Sequence, residues 1–369
     1  MHDETYRMLG REHQADLERE AVKRWRVTRP VPAAMFSRRR GNESVRGQTR
    51  LVVVAAASKR HVVLGAAGGT GSAVVRELAA RGLRVRAVTR RGTGDVPEGV
   101  EQAAADVGTA GGARQACEDA AVVYHCAQPD YRKWPELFPP MTEAVLDGAA
   151  EAGAKLVFAD NLYMYGPPDG PMTEETPQRA EGRKGRMRIE MADAVLRAHA
   201  DGRLRSTIGR SSDYYGPRGT GTTAGTNIMK PALRGKRTRW LGSLDQPHTL
   251  NYLEDMGRAL ATLGERDEAD GQIWHLPAAE PLTGRQFLEL VFEEAGHSPK
   301  IGVASRPMIM MAGLFNPLLR ELNETLYQFE LPFVADASKF QGAFGPFETT
   351  PHREAVGRTV AWFRRNYGV

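Results

Sequence analysis

From residue 61 onward, short apolar runs alternate with longer segments whose apolar residues recur at helical spacing. This alternation is typical of parallel βαβ units, in which helices cover both faces of a sheet. The apolar runs predict strands at 61–64, 84–89, 121–126, 155–159 and 205–210. The segments between them predict helices at 72–81, 112–119, 141–152 and 186–200. We therefore expect an α/β fold built on a Rossmann-type doubly wound parallel sheet.

The regular alternation stops near residue 216. Further strand-like runs lie at 238–241, 248–253 and 272–276, and helical patterns at 255–263, 284–295, 318–329 and 353–367. This change predicts one domain over 61–216 and, over 217–369, mainly a smaller C-terminal lobe that returns strands or helices to the core. The segment 1–60 predicts a basic N-terminal extension, with a charged helix at 3–26 and a linker.

The positive charge of the chain is concentrated in that extension. Residues 1–60 hold 14 Lys and Arg against 7 Asp and Glu, a surplus of +7, whereas residues 61–369 hold 36 against 38, a balance of −2. The folded part therefore gives no electrostatic reason to expect nucleic acid as a partner.

Composition is that of an ordinary water-soluble globular protein, with 26% charged and 41% hydrophobic residues. No apolar run has the length that would span a bilayer. The only cysteines, Cys117 and Cys126, fall in or beside apolar stretches, which suits free thiols in a reducing compartment, so we expect a cytoplasmic protein. No HxxxH or CxxC spacing occurs, and the sequence therefore predicts no metal site.

Three glycines, Gly65, Gly68 and Gly71, stand at GxxGxxG spacing between the first predicted strand and the first predicted helix. Such a turn lets a dinucleotide pyrophosphate approach the backbone, while the helix N-terminus supplies N–H groups for the phosphates. We expect the turn to bind a dinucleotide through Gly65, Ala67, Gly68, Gly69, Thr70 and Gly71.

The residue at the end of the second strand indicates which dinucleotide binds: an acidic residue there favours NAD, and an arginine favours NADP. Here the strand ends in Arg90 and Arg91 with no acid beside them, which favours NADP(H) over NAD(H). Further contacts to the cofactor are expected from Asp106 and Val107, near the adenine, and from Cys126 and Ala127, after the fourth strand.

Taken in order, these features resemble the extended short-chain dehydrogenase/reductase superfamily, in its NAD-dependent epimerase/dehydratase group. The resemblance rests on the glycine turn, on Val-Val-Tyr-His-Cys-Ala at 122–127, and on Tyr-Gly-Pro endings at 165–167 and 215–217. It also includes His-Thr-Leu-Asn-Tyr-Leu-Glu-Asp at 248–255 and Gly-Gln-Ile-Trp-His-Leu at 271–276. It covers about residues 61–300. It implies that 61–216 is a dinucleotide-binding Rossmann domain and that 217–369 is mainly a substrate-binding lobe.

The resemblance also implies a catalytic Ser or Thr after the fifth strand and a YxxxK pair on the next helix, and the sequence departs from both. Asn161 stands at the serine position, and counting back from Glu190 puts Arg186 at the lysine position and Gly182 at the tyrosine position. Every tyrosine of the chain lacks a lysine four residues later. The usual relay, in which the lysine lowers the tyrosine pKa, is therefore missing.

Three interpretations remain open for the chemistry. In the first, the protein is an NADP(H)-dependent oxidoreductase of a small carbonyl or alcohol substrate, with Asn161 and Tyr163 as substitute hydrogen-bonding groups and Lys184 or Arg186 as the positive charge. In the second, it is a redox-silent regulatory protein that binds a dinucleotide. In the third, it is a cofactor-assisted epimerase or dehydratase.

Substrate contacts are expected from the loop after the fourth strand, because ligands of open α/β sheets bind at the carboxyl ends of the strands. The candidate substrate residues are Gln128, Tyr131, Trp134, Tyr163, Trp240 and His248. The apolar stretch 308–319 is too short to cross a membrane, and we interpret it as a lid or core helix. Whether the chain forms a homodimer is a question that the sequence leaves open.

Overall fold

The computed structural model describes residues 60–368, so the predicted N-terminal helix and linker lie outside the described residues. Seven strands form one sheet in which every neighbouring pair is parallel. They are β1 (Arg60–Leu64), β2 (Val85–Thr89), β3 (Glu101–Ala104), β4 (Ala120–His125), β5 (Lys155–Asp160), β6 (Ser206–Arg210) and β11 (Ile273–His275). Their order across the sheet is β11-β6-β5-β4-β1-β2-β3. The predicted doubly wound sheet is confirmed.

Short strands outside this sheet pair in twos. They are β7 (Asp213–Tyr215), β8 (Thr238–Leu241), β9 (Pro247–His248), β10 (Leu250–Tyr252), β12 (Leu282–Thr283) and β13 (Ile301–Ala304). β10 pairs with β7, β12 with β9, and β13 with β8. β7 directly follows the carboxyl end of β6, so the β10–β7 pair lies next to the sheet edge where ligands bind.

Twelve α-helices lie in the described part of the chain. They are α1 (Gly69–Ala80), α2 (Ala110–Cys117), α3 (Trp134–Glu151), α4 (Arg183–Ala200), α5 (Thr226–Leu233), α6 (Leu253–Glu265), α7 (Gly284–Ala295), α8 (Arg306–Gly313), α9 (Pro317–Leu322), α10 (Tyr327–Glu330), α11 (Ser338–Phe344) and α12 (His352–Tyr367). No helix of residues 60–368 combines the length and the apolar character needed to cross a bilayer.

The sheet carries one apolar core on each face, because its strands are buried on both sides. One core joins β1, β4 and β5 to α2, α3 and α4, and the other joins the same sheet to α1 and α6. A third core lies among the later elements and contains Tyr215, Trp240, Phe287, Phe292 and Val356. The boundary predicted at residues 216/217 stays a prediction.

One observed strand of the sheet was not predicted, and two predicted helices differ from the observed ones. Strand β3 has the sequence Glu-Gln-Ala-Ala with mostly exposed side chains, so its apolar pattern is weak, and it forms by pairing with β2. Helix α3 begins at Trp134 rather than at residue 141, because burial of Trp134 and Phe138 outweighs the loss of hydrogen bonds at Pro139 and Pro140. The single helix predicted at 318–329 is divided into α9, a 3₁₀ turn at Asn323–Thr325, and α10.

Candidate active site

The glycine turn connects β1 to α1, and its three glycines differ in what a side chain would meet. Gly65 has a φ of 78°, and a Cβ there would lie 2.6 Å from the Cα atom of Ala127. A Cβ at Gly71 would lie 2.4 Å from the carbonyl oxygen of Gly65. A Cβ at Gly68 would meet only that same oxygen, at an ordinary 3.4 Å. Gly65 and Gly71 therefore permit close packing, whereas Gly68 leaves space in front of the turn.

That space belongs to a cavity of about 660 Å³ along the carboxyl ends of β1, β2 and β4. Most of the predicted cofactor residues line it, namely Gly65, Ala67, Gly68, Gly69, Thr70, Arg90, Asp106, Val107, Cys126 and Ala127. Gly71 lies behind the turn, and Arg91 is exposed outside the cavity. The cradle in front of Gly68 and the first turn of α1 fits the pyrophosphate of a dinucleotide.

Of the side chains that line this cavity, Asp106 is engaged in a hydrogen bond within residues 60–368, whereas Arg90 is not. The Asp106 carboxylate accepts a hydrogen bond of 3.0 Å from the Gly108 N–H and so caps the turn that precedes α2. The exposed Arg90 guanidinium has no ion-pair partner in the described part of the chain. Arg90 is thus available to an anionic group at the end of β2.

A second cavity, of about 600 Å³, lies on the other side of the glycine turn. Both cavities are lined by Gly68, Thr70, Gln128 and Tyr214, so they meet at the turn. The predicted substrate residues that line the second cavity are Gln128, Tyr131, Trp134, Tyr163 and Trp240. His248 is buried behind its wall. A ligand as long as a dinucleotide can thus reach from the first cavity into the second.

Asn161 and Tyr163 follow β5 and line the second cavity. The Asn161 side-chain oxygen accepts a hydrogen bond of 3.1 Å from the Tyr163 N–H, which holds the turn at this point. Burial raises the pKa of the Tyr163 phenol well above its usual value, and the Arg188 charge opposes that shift only in part. Tyr163 therefore holds its proton firmly in this structure.

Helix α4 presents different basic residues to the cavity from those expected. Arg186 lies on the exposed side of the helix, where its guanidinium bonds to the carbonyl of Glu181. Lys184 is buried but forms an ion pair with Glu321, and it does not line the cavity. Arg188, which was not among the residues predicted from the sequence, does line the cavity. Helical spacing explains why Arg188 is buried and Arg186 is exposed, because residues 184 and 188 share one face of the helix and residue 186 points away from it.

Arg188 belongs to a buried ion cluster beneath the cavity. Its Nη1 lies 3.1 Å from Asp160 Oδ1, and Arg210 Nε lies 3.2 Å from Asp160 Oδ2. The Arg188 guanidinium also lies 4.5 Å from the ring centroids of Trp134 and Phe138. One carboxylate thus faces two arginines, and the cluster carries a surplus positive charge beside the cavity.

Two polar atoms at the cavity floor are buried without a partner. Among the described residues, Ser212 Oγ and Arg188 Nε have no hydrogen-bond partner, although both side chains are nearly inaccessible to solvent. Buried donors and acceptors are ordinarily paired, because an unpaired one costs about 1–3 kcal/mol. Both residues line the cavity, so a bound ligand can satisfy them.

Comparison with known proteins identifies the family of the chain. The model of the NAD dependent epimerase/dehydratase family matches residues 61–276. No curated protein matches the sequence.

Solved structures with the same fold include a dTDP-glucose 4,6-dehydratase and a UDP-glucose 4-epimerase. DesIV, the dehydratase from Streptomyces venezuelae, was solved with NAD and TYD bound; it is 19% identical, with a TM-score of 0.69 over 84% of this chain and 98% of its own. The epimerase of Thermus thermophilus, solved with NAD, is 22% identical, with a TM-score of 0.67 over 83% of this chain and 99% of its own. At these identities the likeness establishes the fold.

Proposed function

Because the chain belongs to the NAD dependent epimerase/dehydratase family, and so is an enzyme of that cofactor-dependent type, we propose that it is an NADP(H)-dependent oxidoreductase acting on a small carbonyl or alcohol substrate. The observation that carries the proposal is the pair of cavities joined at the glycine turn. When bound, the dinucleotide exchanges a hydride with the substrate through its nicotinamide ring. Residues of the first cavity would hold the adenosine half of the dinucleotide, and residues of the second would hold its nicotinamide end beside the substrate.

The preference for NADP(H) is supported by Arg90. A guanidinium binds a phosphate through charge-assisted hydrogen bonds, and Arg90 lines the cavity at the end of β2, where the ribose 2′-phosphate would lie. The solved structures of similar fold include NAD complexes, so NAD(H) is the alternative to be measured alongside.

Polar groups at the floor of the second cavity bind the substrate oxygen. Asn161 and Tyr163 offer side-chain donors, and Arg188 supplies the positive charge that the missing lysine would otherwise provide. Arg188 replaces Arg186 and Lys184 in this role, because it alone of the three faces the cavity. Tyr131 and Trp134, whose ring centroids lie 4.7 Å apart, form an aromatic wall for the apolar part of the substrate.

The cofactor part of the proposal is tested by direct binding of NADPH and NADH to the wild type, Arg90→Ala and Arg91→Ala proteins. We expect Arg90→Ala to weaken NADPH binding about tenfold, or about 1.4 kcal/mol, and to leave NADH binding unchanged. Arg91→Ala is the matched control, because Arg91 is equally exposed and lies outside the cavity. An equal loss of affinity in the two variants would contradict the role of Arg90, and a wild type that binds neither dinucleotide would contradict the proposed function.

An epimerase or dehydratase is the second candidate, and the matched family model favours it by name. Such an enzyme oxidises and then reduces its substrate on one cofactor, whereas an oxidoreductase consumes the dinucleotide. Stoichiometry separates the two candidates. A scan of carbonyl and alcohol substrates with limiting dinucleotide should give one product per dinucleotide for the oxidoreductase and many for the epimerase or dehydratase.

A further inference from the structure

A carboxylate and a histidine meet at the wall of the second cavity, and the family resemblance implies no catalytic role for either of them. Asp213, on β7, lines the cavity and is partly exposed. His248, on β9, is buried behind it, with Nε2 at 3.1 Å from Asp213 Oδ2. The other carboxylate oxygen accepts a hydrogen bond of 3.1 Å from Thr223 Oγ1. Contacts with His248 and Thr223 thus hold the Asp213 carboxylate in place, while part of its side chain remains accessible from the cavity.

The hydrogen bonds of His248 show how many protons the pair holds. Its Nδ1 lies 3.0 Å from the main-chain carbonyl oxygen of Gln328, which can only accept, so Nδ1 carries a proton. A neutral imidazole protonated on Nδ1 has a lone pair on Nε2, and that lone pair would face an ionised carboxylate. The contact between Nε2 and the carboxylate is favourable only if a further proton, in addition to the one on Nδ1, lies between the two groups. The pair is therefore either imidazolium with carboxylate or neutral imidazole with carboxylic acid.

The orientation of the ring is set by its surroundings. The His248 ring is stacked on Phe329, with centroids 5.0 Å apart and planes 8° apart, and on Phe333 at 5.4 Å. A half-turn about the Cβ–Cγ bond would place ring carbons against both oxygen partners and forfeit two hydrogen bonds. The stacking thus fixes the plane of the ring, and the two hydrogen bonds fix which ring positions the nitrogens occupy.

A second buried histidine provides an internal comparison. His275 Nδ1 also faces a main-chain carbonyl, that of Asp336, at 3.0 Å. Its Nε2 lies 2.7 Å from the hydroxyl of Tyr165, which can donate to a lone pair. Burial, helped by the Arg210 charge, lowers the pKa of His275 to about 4, so this ring is neutral at neutral pH. A carboxylate cannot donate as a phenol does, and for this reason only the His248 pair needs the further proton.

We propose that the Asp213–His248 pair is the proton donor and acceptor of the reaction, in place of the missing tyrosine. The inference rests on the proposed function. In reduction, the carbonyl carbon receives the hydride of the reduced dinucleotide and the carbonyl oxygen receives the pair's further proton, which yields an alcohol and the oxidised dinucleotide. The pair is left as a carboxylate beside a neutral histidine and regains a proton from water; oxidation of an alcohol runs in reverse.

Asp213 is the group suited to touch the substrate, and His248 is its positioning partner. The cavity holds another carboxylate, Asp160, but two arginines engage it at both oxygens. Four phenols lie near enough to Asp213 for its charge to act on them, namely those of Tyr131, Tyr163 and Tyr214, which line the cavities, and that of Tyr327, which lies outside them. The pKa of each is raised, chiefly because of burial and in part because of the Asp213 charge. Each of these phenols therefore holds its proton more firmly than a free phenol does, which makes it a poorer general acid.

The variant that tests the proposal is Asp213→Asn. An asparagine amide can donate to an unprotonated Nε2, so the geometry is kept while the transferable proton is lost. We expect kcat to fall about 100-fold or more, with dinucleotide affinity unchanged. Asp245→Asn is the matched control, because Asp245 is an exposed carboxylate paired with Arg285. A kcat for Asp213→Asn within about threefold of the wild type would overturn the proposal, since proton transfer is worth far more.

A second measurement needs neither cofactor nor turnover. Nitrogen-15 NMR of labelled histidine and carbon-13 NMR of labelled aspartate, assigned with His248→Gln and Asp213→Asn, report the proton on either member of the pair. We expect a protonated imidazole or a protonated Asp213 carboxyl in the wild type, and a neutral His248 in Asp213→Asn. An ionised Asp213 beside a neutral His248 in the wild type would overturn the proposal. A wild type that holds the further proton yet converts no substrate would overturn the proposed function instead, and the catalytic role with it.

Discussion

The first cavity, which we propose holds the dinucleotide (the dinucleotide cavity), and the second, which we propose holds the substrate (the substrate cavity), both border the glycine turn. The two cavities are made of different atoms. The first is shaped by backbone, since Gly65 and Gly71 pack against main-chain atoms and Gly68 leaves the space. The second is shaped by side chains from separate elements, such as Arg188 on α4 and Asp213 on β7. A backbone site is constrained by the conformation of one turn, whereas a side-chain site can change its chemistry residue by residue while the fold persists.

The largest effect is expected from breaking the ion cluster under the substrate cavity. Asp160→Asn keeps the size of the side chain but leaves Arg188 and Arg210 buried without a carboxylate. Removal of one partner from a buried ion pair typically destabilises a protein by about 3–5 kcal/mol. We expect a loss of this size in the free energy of unfolding, measured with denaturant.

The control for this change is Asp169→Asn. Asp169 also pairs with an arginine, Arg179, but its side chain is 90% exposed, so water replaces the lost contact. We expect no measurable change in its stability. Equal stabilities for the two variants would mean that the cavity floor does not depend on the buried charges.

The next effect separates the two roles of glycine in the dinucleotide cavity. Gly71→Ala places a methyl group 2.4 Å from the Gly65 carbonyl oxygen, so the turn must shift, at an expected cost of about 1–3 kcal/mol in stability. Gly68→Ala meets nothing closer than 3.4 Å and should leave stability unchanged while it weakens dinucleotide binding. Thermal unfolding and binding titrations on both variants measure the difference.

Gly111→Ala is the matched control for the helical glycine. Gly111 is also near the start of a helix, α2, and a Cβ there meets nothing within 4 Å. Alanine should therefore stabilise the protein slightly, by up to about 1 kcal/mol, through its better helix propensity. If Gly71→Ala behaved like Gly111→Ala, the close approach of the turn to the helix would not constrain this site.

The same contrast explains how much could be predicted from the sequence. The glycine turn is a local pattern, because the strand, the turn and the helix that make it are contiguous from β1 to α1. The parallel sheet follows from repetition of that unit along the chain. Strand β3 was missed, because its pairing with β2 and not its own apolar pattern makes it a strand.

The substrate cavity depended on contacts between distant residues. Arg188 was missed because counting back from Glu190 selected Arg186. The apolar stripe of Met187, Met191 and Val195 indicates which face of α4 is buried, and Arg188 lies on that face. Asp213 was missed because its partner His248 lies 35 residues away, and no spacing in the sequence links them. His248 was selected as a substrate residue, but it lies behind Asp213.

The smallest effect is expected from Tyr163→Phe, which sharpens the comparison inside the substrate cavity. Burial raises the pKa of this phenol, so it is a poor proton donor, and its loss should remove one hydrogen bond to the substrate oxygen. Such a loss costs about 1 kcal/mol, which corresponds to a fall in kcat/KM of less than about tenfold. Tyr327→Phe is the matched control, because the Tyr327 hydroxyl donates to the Tyr163 main-chain oxygen from outside the cavity. The opposite result would be a fall of about 100-fold in kcat for Tyr163→Phe with a nearly unchanged kcat for Asp213→Asn. Tyr163 would then be the proton donor, and the chemistry of the substrate cavity would be closer to the family pattern than its residues indicate.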